Sequence, residues 1–156
     1  PPVEMKDDET GEDKVVDFGF VGDVDKADGE RLAALINSGI TPVVAPLTHD
    51  GMGNILNTNA DTMASTVAKA LADKFEVTLI FSFEKKGVLS NPDDDESVIP
   101  LITREIYKMY EESGVISGGM KPKVENALSA VEKGVRRVVI TLADNIGKSS
   151  EGTVIQ

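Results

Sequence analysis

The sequence predicts an α/β protein, a three-layer sandwich built around a mostly parallel central sheet. Segments typical of strands alternate with segments typical of helices along the chain. Two short apolar, β-branched runs, at residues 77–83 and 138–141, have the length of buried strands. Residues 120–133 carry apolar side chains at helical spacing between them. A strand, a helix and a strand in this order are typical of neighbouring parallel strands with a helical crossover.

The segments before residue 58 predict short strands and turns. Residues 15–24 mix β-branched and aromatic residues with glycines, which predicts a strand with a bend. Residues 41–47 form a short apolar run that predicts a buried strand, and residues 55–57 a further short segment. The lone His49 lies in the turn between them. Without a serine nucleophile motif or a second histidine, it is interpreted as a loop residue.

Capping residues and periodicity predict the helices. Asp28 is expected to cap a helix that ends at Gly39, and Asn59 to cap the next one. Residues 102–111 are expected to be helical, and residues 152–155 to form the last strand. Leu32, Leu35 and Ile36 share one face of the first helix. The residues expected to point inward are Met63, Val67, Ala70 and Leu71 in the second helix, and Val124, Leu128 and Val131 in the last.

Composition limits the class of function. The chain has 156 residues, enough for one domain with a core, and no cysteine for disulfides or thiolate metal sites. Its net charge of −11 and scarce aromatic residues argue against a nucleic-acid partner. No apolar run long enough to span a membrane and no signal peptide are visible, so a cytoplasmic location is expected. Because the chain begins with Pro1, it is expected to be processed or part of something longer.

Three strand exits concentrate polar residues and glycine, which is where open α/β sheets bind ligands. At the first exit, a helix cap explains Asn59 and a favourable first-turn charge explains Asp61, whereas neither explains Asn57. At the second, a charged pair precedes Gly87. This pattern could present amides to a phosphate or nucleobase, or be an ordinary solvated turn.

The third exit is a glycine pair before a helix start. Pro122 suits the first helical position, and both Lys121 and Lys123 lie where the helix dipole disfavours cations. A bound anion would reverse that penalty, while two lysines that point into water would reduce it. Neither the P-loop motif nor a G-x-G-x-x-G motif occurs in the chain.

Taken together, the three exits resemble the second half of the N-acetylglutamate kinases, in the amino acid kinase family. The resemblance runs in matching order from about Val15 to the C terminus. The segments that carry it are DFGFVGDV at 17–24, PVVAPL at 42–47, NTNAD at 57–61, EKKGVL at 84–89, GGMKPKV at 118–124 and GTVI at 152–155. The resemblance assigns residues 15–156 to an ATP-binding C-terminal domain and leaves residues 1–14 as an acidic segment, a mobile tail or the tip of a hairpin.

The resemblance also implies roles for individual residues. Asn57 corresponds to the asparagine that contacts the acylglutamate, and Asp61 to the aspartate that holds the catalytic lysines. Lys123 corresponds to the lysine that neutralises the transferring phosphoryl group. The implied nucleotide-binding residues are Glu84, Lys85, Lys86, Gly87, Val88, Leu89, Val115, Ile116, Ser117, Gly118 and Gly119. The family usually has Asp-Val-Ser where this chain has Glu84-Lys85-Lys86, so side-chain contacts there need not be shared.

The implied reaction is ATP-dependent phosphorylation of the side-chain carboxylate of N-acetyl-L-glutamate, or of N-succinyl-L-glutamate, in arginine biosynthesis. Mg²⁺ is expected to arrive with the nucleotide rather than on protein ligands. The acceptor is already a carboxylate, so no general base is needed. The family's other phosphate-binding lysine, a Gly-Gly element and an arginine for the substrate belong to an N-terminal half that is absent upstream of Val15. The chain alone is therefore expected to be inactive, and the full-length protein to be a homo-oligomer.

Two alternatives stay open. The first is another amino acid kinase, similar to glutamate 5-kinase or carbamate kinase, with the same nucleotide site. Aspartokinase fits less well because no further domain follows residues 152–155. The second is a non-catalytic nucleotide-binding module.

Overall fold

The computed structural model describes residues 2–6, 11–148 and 151–156 of the chain. The acidic centre of the N-terminal segment, residues 7–10, lies outside the described residues. The helices are α1 (Gly29–Asn37), α2 (Ala60–Leu71), α3 (Arg104–Glu112) and α4 (Met120–Glu132). The strands are β1 (Pro2–Lys6), β2 (Asp13–Asp17), β3 (Leu47–His49), β4 (Ile55–Asn57), β5 (Thr78–Phe83), β6 (Leu101–Ile102), β7 (Arg137–Leu142) and β8 (Thr153–Ile155).

The main sheet has four strands in the order β5-β7-β8-β6. Strand β5 runs parallel to β7, with Phe81 opposite Ile140, and β6 runs parallel to β8. The two parallel pairs are joined by the antiparallel pairing of β7 with β8. The predicted α/β class with a mostly parallel sheet is therefore confirmed.

Helices α2, α3 and α4 pack together on one face of this sheet and bury the core against it. The core consists of Phe81, Val138, Ile140, Ile155 and Ile102 from the strands, with Tyr107, Val124, Ala127 and Leu128 from the helices. The other face is partly open, and Ile80 is 39% exposed there. Within the described residues, no helix combines the length and the apolar character needed to cross a membrane.

The predicted caps are found. Asp28 accepts a hydrogen bond from the Arg31 amide, and Asn59 accepts one from the Thr62 amide. The apolar face of α1 is not its buried one, because Leu35 and Ile36 are exposed and Ala33 is the buried residue. Helix α1 packs on α2, and this contact leaves much of its surface uncovered.

Two boundaries also differ from the prediction. Residues 41–47 are not a buried strand: the segment 41–45 has no regular structure, and Val43 is 95% exposed. Pro42 and Pro46 have no N–H to donate to a ladder, which leaves β3 to begin at Leu47. Ile102, predicted to be helical, belongs to β6, and Thr103 caps α3 instead.

The N-terminal part of the chain forms two small antiparallel sheets, β1 with β2 and β3 with β4. The predicted strand at 15–24 ends at Asp17 and continues only as a single parallel bridge between Val21 and Asn57. This part leaves several large apolar side chains exposed. They are Phe18, Phe20, Val43, Met52 and Ile55.

One buried hydroxyl joins β8 to the segment between β5 and β6. The Thr153 hydroxyl accepts a hydrogen bond from the Val88 amide at 2.8 Å and donates one to the Ile99 carbonyl at 2.7 Å. Thr153 is fully buried. Gly87 lies directly against it, since a Cβ there would stand 2.7 Å from the Thr153 hydroxyl.

This arrangement predicts that Thr153→Val lowers the free energy of unfolding by about 1–3 kcal/mol, because a buried amide and a buried carbonyl lose their partner. Urea denaturation measures the change. Thr141→Val is the matched control, since the Thr141 hydroxyl is also buried but has no hydrogen-bond partner within the described residues. That change should be neutral or stabilising, and equal losses from both variants would contradict the assignment.

Candidate functional site

An ion pair joins the first and third strand exits. The Lys123 ammonium on α4 donates a hydrogen bond to the Asp61 carboxylate on α2, with Nζ and Oδ2 2.5 Å apart. The two residues are 62 positions apart in the sequence. The lysine side chain is only 16% exposed and the aspartate 33%. The structure therefore brings together two of the predicted site residues.

Aromatic rings of β5 form the rest of the surroundings of Lys123. Its Nζ lies 5.0 Å from the ring centroid of Phe81 and 5.9 Å from that of Phe83. A cation at such distances is attracted by the ring face. The carboxylate and the rings together hold the ammonium at the carboxyl end of β5.

The N-terminus of α4 differs from the other three. A side chain caps each of α1, α2 and α3, and each has an acidic residue in its first turn. Helix α4 begins after Gly119 and has neither a side-chain cap nor an acidic residue in its first turn. Pro122 was predicted at its first position and lies at its third. The partial positive charge of this helix end is thus left for a ligand or for solvent.

The two lysines in the first turn of α4 are both paired with carboxylates of other helices. Lys121 lies 2.6 Å from Glu111 of α3, and this hydrogen bond raises the pKa of Lys121 above its ordinary value. Lys123 is paired with Asp61. Each carboxylate offsets the unfavourable interaction between its lysine and the helix dipole.

Asn57, at the end of β4, has a fixed backbone and an exposed side chain. Its backbone N–H donates to the Phe20 carbonyl, and its backbone carbonyl accepts from the Gly22 N–H. The next residue, Thr58, is buried and its hydroxyl donates to the Gly22 carbonyl at 3.0 Å. The backbone of Asn57 is therefore held from both sides while its amide side chain faces solvent.

A cleft of about 250 Å³ lies between the second and third exits, beside Phe83 and the start of α4. One wall is the segment after β5, and the other is the approach to α4. The residues that line it are Phe83, Glu84, Lys85, Gly87, Val88, Leu89, Pro92, Val115, Ser117 and Met120. Most of these side chains are apolar, as in a typical site for a flat organic group.

Not every predicted nucleotide-binding residue reaches the cleft. Ile116 is 2% exposed and belongs to the core, whereas Lys86 is paired with Glu96. Gly118 and Gly119 lie at the start of α4 rather than on the cleft wall.

Sequence reasoning missed other residues of the site. Phe83, Pro92 and Met120 line the cleft, and Thr58 and Thr153 fix its supports. Thr58 follows β4 and Thr153 begins β8, and a single threonine at either place gives no sequence signal of its own.

A larger cleft, of about 480 Å³, lies between α1 and β3. Asp23, Asp25 and Asp28 line it together with half-exposed apolar side chains. Lys26 and Arg31 line it too, and none of the predicted site residues borders it.

The fold and the arrangement of polar groups define a class: an open α/β protein whose charged and glycine-rich segments meet at the carboxyl ends of its strands. The chain belongs to the amino acid kinase family, whose pattern it matches over residues 4–142.

Two relatives show the likeness in sequence. The chain is 60% identical over 143 residues to the acetylglutamate kinase of Phocaeicola vulgatus, covering 92% of the chain and 55% of the relative. It is 59% identical, with the same coverage, to the acetylglutamate kinase of Bacteroides thetaiotaomicron. The chain thus spans about half the length of the curated relatives it matches.

A solved structure shows the likeness in fold. The protein smu.665 from Streptococcus mutans is 34% identical and superposes with a TM-score of 0.72, over 89% of this chain and 52% of that one.

The site geometry predicts that Asp61→Asn lowers the free energy of unfolding by about 1–2 kcal/mol, because a largely buried ammonium loses its carboxylate. Chemical denaturation at neutral pH measures this change. Glu111→Gln, which breaks the more exposed pair with Lys121, is the control and should leave stability nearly unchanged. Similar losses from the two variants would show that Lys123 does not depend on Asp61.

Proposed function

We propose that residues 15–156 supply the ATP-binding half of an acetylglutamate kinase. The observation that carries this proposal is the Lys123–Asp61 pair, which joins two helices beside the uncapped N-terminus of α4 and the apolar cleft. The name of the relatives supports the choice of reaction.

In this proposal the nucleoside of MgATP lies in the cleft and its phosphates extend toward α4. The cleft offers apolar surface at Leu89, Val115 and Met120. The first turn of α4 offers the partial positive charge of an uncapped helix N-terminus, together with the Lys123 ammonium. Mg²⁺ carried by the nucleotide would supply further positive charge at the phosphates, and no protein ligand for it is assigned.

The chemistry requires charge neutralisation more than proton transfer. The acceptor carboxylate attacks the γ-phosphorus, and ADP leaves with the bridging oxygen. Lys123 neutralises the charge on the phosphoryl oxygens as it spreads in the transition state. Asp61 fixes the position of the ammonium, so that little reorganisation is needed during the reaction.

Asn57 is proposed to contact the acylglutamate. Its side chain is exposed and its backbone is held by Phe20 and Gly22. The chain spans about 55% of its relatives' length, and we infer that further contacts to the substrate come from the remainder. We therefore infer that the chain alone binds nucleotide without transferring phosphate.

Calorimetric titration of the chain with Mg-ADP and with Mg-AMPPNP tests the nucleotide site. Saturable binding is expected, and Lys123→Ala should weaken it roughly tenfold, more for AMPPNP than for ADP, because the ammonium faces the γ-phosphate. Lys121→Ala is the matched control, because this more exposed lysine of the same helical turn lies against Glu111 of α3 rather than Asp61 and the rings of β5. Equal effects of both variants would contradict the role of Lys123.

Joining the chain to the first half of the Phocaeicola vulgatus kinase tests the reaction. ATP consumption that depends on N-acetylglutamate is expected, and Lys123→Met should lower kcat by roughly 10²-fold or more. N-succinylglutamate, glutamate and carbamate are compared in the same assay. A folded chimera that binds ATP but shows no turnover dependent on N-acetylglutamate would contradict the proposed reaction.

A further inference from the structure

The acidic loop, residues 91–96, is folded by its own hydrogen bonds. The Ser97 hydroxyl accepts from the Asn91 amide, and its one hydrogen is shared between the Asn91 and Asp94 carbonyls, 2.9 and 2.6 Å away. The Asp94 side chain accepts from the Glu96 amide. A single antiparallel bridge between Leu89 and Val98 closes the base of this loop.

Two ion pairs connect the acidic loop to the strand exit that precedes it. Lys85 Nζ lies 2.7 Å from Asp95 Oδ1, and Lys86 is paired with Glu96. Both pairs span 10 residues. The hydrogen bond with Asp95 raises the pKa of Lys85, and the same bond lowers the pKa of Asp95.

The acidic loop is also a wall of the cleft. Pro92 lines the cleft opposite Val115, Ser117 and Met120. The base of the loop is fixed, because the Ile99 amide donates to the Val88 carbonyl and Thr153 holds both segments. These bonds do not hold the outer part of the loop, and the ion pairs of Lys85 and Lys86 lie at that outer part.

We propose that Lys85 and Lys86 are positioning residues that hold the acidic loop as the outer wall of the nucleotide cleft, rather than ligands of the phosphates. This inference rests on the proposed nucleotide site. It concerns the part of the chain where the family's Asp-Val-Ser pattern is replaced by Glu84-Lys85-Lys86.

Charge supports this role over direct phosphate binding. The exit and loop together carry five carboxylates against two lysines, and both ammonium groups lie within that cluster: Glu84, Asp93, Asp94, Asp95 and Glu96. This surplus of negative charge repels phosphate. The phosphates are better placed near Lys123, while Pro92 contacts the uncharged nucleoside.

The test is Mg-ADP calorimetry on the chain with charge reversals. Lys85→Asp is expected to weaken binding about two- to fivefold, the size of effect that exposed ion pairs have. Asp95→Lys should weaken it by a similar factor, although it adds positive charge. The double variant, Lys85→Asp with Asp95→Lys, should restore wild-type affinity.

Amide hydrogen exchange in residues 91–98 gives an independent measure without nucleotide. It should rise in each single variant and fall back in the double variant. Arg136→Ala is the matched control, because it breaks an exposed ion pair with Glu76 just before β7, at the end of the strand away from the cleft. That variant should leave both readouts unchanged.

The outcomes separate the two proposals. Tighter binding by Asp95→Lys, or weak binding by the double variant, overturns the positioning role and leaves the nucleotide site standing. A wild-type chain that is folded but binds no nucleotide overturns the site and this inference together.

Discussion

The hydrogen bonds of the Thr153 hydroxyl are the constraint on which the cleft depends. They tie β8, at the centre of the sheet, to the two segments that leave β5 and enter β6. Because Gly87 has no side chain, its backbone can lie directly on this hydroxyl. The floor of the cleft and the base of the acidic loop are thus anchored at one buried hydroxyl. It supplies a partner to backbone groups that would otherwise be buried without one.

The second organising feature is electrostatic. Three helices have their N-terminal charge satisfied by caps and acidic residues, whereas α4 presents lysines where its dipole disfavours them. Asp61 and Glu111, from neighbouring helices, compensate those lysines. A phosphate would meet the same helix end with an attractive rather than a repulsive field. The proposed binding of nucleotide phosphates at this helix end rests on that difference in sign.

Much of the fold was predictable because its signals are local. The caps Asp28 and Asn59 and the apolar strands β5 and β7 depend on neighbours in sequence. Residues 41–47 were mispredicted because a strand also needs backbone N–H groups that can pair with a neighbour, and the two prolines of this segment have none.

In the site, Asp61 and Lys123 were found by resemblance, but their contact spans 62 positions. The roles of Pro92 and Thr153 follow from tertiary packing, which leaves no pattern in the sequence.

The exposed aromatic and aliphatic side chains between residues 18 and 55 also govern how copies of the chain behave toward one another. At neutral pH a net charge of −11 keeps the copies apart by mutual repulsion. In acid the carboxylates take up protons, and the repulsion fades while Phe20, Val43 and Ile55 stay exposed. Colloidal stability of the purified chain is thus a property of its many surface carboxylates, and mildly acidic buffers favour clustering.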